Sequence, residues 1–88
     1  MVAAGFAFGL SRAEWIGVIL CIALVMAAEL TNTALERLAD AVTDSPHPLI
    51  RIAKDCSAAA VLVVAAASAL IGLLIFVPKI AAHFAPPP

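Results

Sequence analysis

"SAAAVLVVAAASALIGLLIFV", Ser57 to Val77, is a run of 21 residues without a charge. A helix needs about 20 apolar residues to cross a hydrocarbon core about 30 Å thick, so this stretch predicts a transmembrane helix. The rest of the 88-residue chain agrees, being 65% apolar and 12% charged. An ordinary soluble domain carries roughly 25% charged residues. The expected fold class is an all-α integral membrane protein with two long transmembrane helices and a short apolar N-terminal segment, one domain over residues 1–88.

Upstream, "WIGVILCIALVMAA" (Trp15 to Ala28) begins the other long helix. No helix breaker separates it from the polar residues that follow, so the helix is expected to continue to about Val42. At 1.5 Å per residue it is then about 42 Å long, and its last turns stand outside the hydrocarbon. Val2 to Leu10 is apolar but too short to span, and reads as an interfacial segment or the end of a helix. A signal peptide fits poorly, because no basic region precedes it and no clear cleavage site follows.

"LSRAE" (Leu10 to Glu14) is the expected turn before the first long helix, and "TDSPHP" (Thr43 to Pro48) the expected loop after it. Pro46 and Pro48 do not suit a helix interior, while Asp44 or Ser45 is expected to cap the helix that starts near Pro48. Arg51 and Asp55 have i,i+4 spacing for an ion pair. Pro78 and Lys79 are expected to end the span, and "AAHFAPPP" to form a disordered end in which His83 has no partner.

Arg37, Arg51 and Lys54 lie between the spans and Arg12 and Lys79 at their far ends, a bias that favours a cytoplasmic connecting loop. The net charge is −1 and no basic cluster suggests nucleic acid. Cys21 is expected at mid-span and Cys56 at the cytoplasmic end of the other helix, depths that argue against a disulfide, and neither has metal-ligand company.

The polar residues of "AELTNTALERLAD" (Ala28 to Asp40) carry the chemistry. At about 100° per residue, Asn32, Glu36 and Asp40 fall within about 60° of Glu29, with Thr33 on the same side, and Leu30, Leu35 and Leu38 hold the opposite positions. A helix leaving a bilayer turns polar in any case, which accounts for Glu36, Arg37 and Asp40 taken alone. Glu29 asks for more, because it follows fourteen apolar residues. An ionised group at the hydrocarbon boundary costs about 2–3 kcal/mol unless it is paired or faces water.

The stripe is therefore expected to face a cavity where a divalent cation or a reacting hydroxyl neutralises it. From Glu36 to Asp55, four acids outnumber three bases, so a nucleotide phosphate would need a metal to approach. Lys54 and Asp55 also suit an interfacial anchor and a helix start, and His47 a solvated loop. The alanines of "SAAAV" and "AAASA" let backbones approach closely, as in helix packing or oligomerisation.

Taken together, "ELTNTALERLAD", then His47, then "IAKD" and "AAAV" resemble the bacterial diacylglycerol kinase family, which includes undecaprenol kinases. The likeness runs from Glu29 to Val61 without a gap, and Phe76 and Pro78 at the end of the second span resemble the Gram-positive type. The resemblance implies a multi-pass protein of the bacterial cytoplasmic membrane, a homotrimeric bundle with active sites shared between subunits. It implies an ATP- and Mg²⁺-dependent kinase for a membrane lipid, diacylglycerol or undecaprenol. By it, Glu29 is the general base and Asn32 holds the site. Glu36 binds magnesium and nucleotide with support from Asp40, and Ser45, Pro46, His47, Lys54 and Asp55 contact ATP. Family members begin with an amphipathic helix and a first membrane helix that supply further site residues, including a second magnesium-binding glutamate. The chain is accordingly expected to start near the end of that first span, as a truncated product or one completed by a partner. The competing expectation is a non-catalytic membrane hairpin that oligomerises through its alanine-rich face.

Overall fold

Three helices, α1 (Val2–Phe8), α2 (Arg12–Val42) and α3 (Pro48–Phe84), make up the fold in a computed structural model that describes residues 1–85. Helices α2 and α3 form an antiparallel hairpin whose longer arm, the 37 residues of α3, is about 55 Å long. Beside a shielded Gly17 and Ile22, one series of α2 positions is screened from solvent along the helix: Val18, Cys21, Val25, Ala28, Asn32, Leu35 and Ala39. Their spacing alternates between three and four residues, the seam pattern of helices that pack at a shallow angle. Lys54, Ser57, Val61, Val64 and Ser68 form the facing series on α3.

The hairpin shelters little. Among the described residues only Val18 and Cys21 form a buried apolar core, while Leu30 is 68% and Leu62 70% exposed. Core helices of a water-soluble protein hide such residues. Here two helices long and apolar enough to cross a membrane leave their apolar surface outward, as a lipid solvent permits. The chain is a membrane protein.

Its ends are fastened. The turn before α2 is shorter than expected: Gly9, at φ +67°, closes α1, and Ser11 already caps α2, so Arg12 to Glu14 are helical. The reason is a capping box. The Ser11 hydroxyl accepts from the Glu14 N–H at 3.2 Å and the Glu14 carboxylate accepts from the Ser11 N–H at 3.0 Å. Glu14 also meets Lys79 Nζ at 2.9 Å, joining the start of α2 to the last turns of α3.

Helix α3 does not stop at Pro78 but runs to Phe84. Proline removes one backbone donor, and the Lys79–Glu14 pair and the aromatic contacts of His83 hold the turns beyond it. His83 stacks edge-on against Phe8 and Phe84, with ring centroids 5.9 and 5.1 Å away, rather than lying unpartnered. Pro86 to Pro88, the rest of the expected disordered end, lie outside the described residues. Cys21 and Cys56 are both free thiols.

Candidate functional site

The loop from Thr43 to His47 is drawn tight by short-range bonds. The Thr43 hydroxyl accepts from the Ser45 N–H at 3.0 Å, and His47 Nδ1 accepts from the Leu49 N–H at 3.2 Å. His47, not Asp44 or Ser45, is therefore the cap of α3. With Pro48 as the first helical residue the cap must be its immediate neighbour, and the extended backbone of His47 suits both a cap and a residue before proline.

Around this loop lies an open cleft of about 890 Å³. Six of the nine expected site residues line it: Asp40, Ser45, Pro46, His47, Lys54 and Asp55. Lys54 Nζ donates to Asp40 Oδ1 at 2.7 Å, bridging the two arms of the hairpin. The expected Arg51–Asp55 pair is absent among the described residues, since an Arg placed before an acid at this spacing is the weaker order. Arg51 lines the cleft instead, three residues before Lys54 on the same helix face. That spacing was readable, yet Arg51 was not among the expected site residues. Asp44 joins Asp40 and Asp55 on the wall, so three carboxylates face two cations.

Glu29, Asn32 and Glu36 stay outside the cleft, higher on α2. Glu36 is one turn, about 6 Å, from Asp40, and Glu29 about 16 Å along the axis. Both glutamates are exposed. Asn32 departs from the single polar stripe: it sits half-buried in the seam, where its Oδ1 is shut from solvent without a hydrogen-bond partner. Sixty degrees from Glu29 was near enough to share its stripe, and near enough to share the seam with Ala28 and Leu35.

Lys54 lies three residues before the uncharged run, outside the hydrocarbon. Its amine is held above the usual lysine range, first by its hydrogen bond to Asp40 and then by the charges of Asp40 and Glu36. No three potential metal ligands converge among the described residues. Magnesium needs no such cage, since one or two carboxylates and the phosphates of a substrate usually suffice. Glu36, exposed and free of any ion pair among the described residues, fits that mode.

Fold and site together define a small helical membrane protein with an ion-bridged polar cleft at one end of its hairpin. The chain belongs to the prokaryotic diacylglycerol kinase family, which it matches over residues 1–76. It is similar to the undecaprenol kinase of Bacillus subtilis (strain 168), 49% identical over 76 residues, which are 86% of this chain and 62% of that one. It is also similar to the diacylglycerol kinase of Synechocystis sp., 48% identical over 58 residues, covering 65% of this chain and 33% of the relative. The chain thus spans less than two thirds of either relative. No solved structure matches it.

Proposed function

We propose that the chain acts as an ATP- and Mg²⁺-dependent lipid kinase of the bacterial cytoplasmic membrane, with its cleft on the cytoplasmic side. The observation that carries the reading is one helix, α2, which bears a carboxylate at the edge of the apolar zone and ends in a cleft holding Lys54, Arg51 and His47. A lipid hydroxyl lives at that edge and a nucleotide in the water beyond it.

In this reading Glu29 receives the proton of the lipid hydroxyl while that oxygen bonds to the γ-phosphorus and the bond to ADP breaks. Asn32 donates from the seam to hold the site. Ser45, Pro46, His47, Lys54 and Asp55 seat the nucleotide, with Lys54 and Arg51 opposite its negative charge. Glu36 would hold magnesium, which neutralises phosphate charge when bound. The acceptor is a lipid alcohol of the class carried in the names of the two relatives, diacylglycerol or undecaprenol.

The test is transfer of labelled phosphate from ATP to each lipid, assayed with the purified chain in mixed micelles. Transfer to one or both is expected. A folded, micelle-bound chain that transfers to neither would leave a non-catalytic membrane hairpin.

A further inference from the structure

Asp40 and Lys54 are fourteen residues apart, on opposite arms of the hairpin, and meet at 2.7 Å on the wall of the cleft. We propose that Asp40 is a positioning residue, holding the Lys54 amine so that its remaining N–H groups meet a polyphosphate, and itself touching neither nucleotide nor metal. This deepens the kinase reading and rests on it.

The stem of Lys54 belongs to the seam between the helices, so its root is fixed and only its head has to be aimed. An ammonium has three donors. One goes to Asp40, and two are left for the cleft. Asp40 in turn is a poor candidate for contact with phosphate. It lies two residues before the end of α2, where the helix dipole disfavours a carboxylate, and like charges repel. Bound to Lys54 it is neutralised in place. Glu36, one turn back, acts on the same amine and helps keep it charged.

The two roles open to Asp40 separate in a double-mutant cycle. The affinity for the Mg²⁺ complex of the non-hydrolysable β,γ-imido analogue of ATP is measured by calorimetry on the chain in phospholipid nanodiscs, with helicity checked for each variant. Asp40→Asn is expected to weaken binding by about fivefold, the scale of an exposed ion pair, and Lys54→Met by about tenfold or more. The double variant should bind like Lys54→Met alone, and Asp40→Glu should restore affinity. If Asp40→Asn still weakens binding in the Lys54→Met background, Asp40 contacts the ligand and the proposal fails while the kinase reading stands. Tighter binding by Asp40→Asn overturns it too, by showing a carboxylate that only repels. A native chain that binds no nucleotide overturns the kinase reading, and the positioning role with it.

Discussion

Glu29 and Glu36 lie seven residues apart, close to two turns, and both are exposed, so the side chains themselves do not distinguish the duties proposed for them. Their depth does. Glu29 follows the apolar run, where a lipid hydroxyl is within reach, while Glu36 stands about 10 Å nearer the cleft. A general base lost from its place lowers turnover by about 10² or more and leaves ground-state binding nearly intact. Glu29→Gln should therefore lower kcat on that scale with Mg-ATP affinity unchanged, and Glu36→Gln should weaken Mg-ATP binding itself. Turnover and nucleotide binding, measured separately, decide it. Turnover unchanged in both variants would reduce the stripe to a polar exit from the membrane.

At the scale of elements, the far end of the hairpin is held by close packing and by charge. A Cβ built on Gly5 would stand 2.7 Å from the Trp15 ring and 3.0 Å from Leu10 Cδ1. An indole ring cannot yield as a flexible side chain can, so Gly5→Ala should destabilise the fold by about 1–3 kcal/mol and alter Trp15 fluorescence. Glu14, one residue before the apolar run, has its carboxyl held below the usual range by the Ser11 N–H first and by Lys79 next. A lowered folded value contributes stability above the unfolded value, which is lost as pH falls through the folded one. In detergent, the melting temperature should drop between about pH 5 and pH 3 more for the native chain than for Glu14→Gln. An equal drop would mean that the Glu14 carboxylate adds nothing through either the Ser11 N–H or Lys79. Length, breakers and charge made the two long helices legible, including the end of α2 at Val42. The seam was not, because Asn32 fits both the polar stripe and the heptad spacing, and packing alone chooses between them. Nor was the Asp40–Lys54 pair, since it depends on how the hairpin arms are registered across the loop.

For the whole molecule the questions are which way it faces the membrane and what covers it. If the cleft is cytoplasmic, Ser45→Cys in a Cys56→Ser background should resist an impermeant maleimide in intact cells and react after lysis; Cys21 is buried and Cys56 exposed, so only the latter must be removed. Labelling from outside would invert the topology. The second question is sharper. Lipid tails satisfy Leu30, Leu62 and Leu74, all more than half exposed, but they do not satisfy Glu29, which is exposed beside the same apolar zone. Left against hydrocarbon, an ionised carboxylate costs about 2–3 kcal/mol. Among the described residues nothing encloses it, whereas the alanines of α3, exposed at 58–60 and 65–67, allow another backbone to approach closely. Neighbouring copies are thus expected to wall off the stripe, and we expect a homotrimer. Native mass spectrometry from mild detergent should give three chains per particle. Substituting Ala59 and Ala66 with leucine should dissociate them, because added bulk separates close-packed helices. A native chain that stays monomeric would leave Glu29 facing lipid, and the enclosed acid stripe would have to be abandoned.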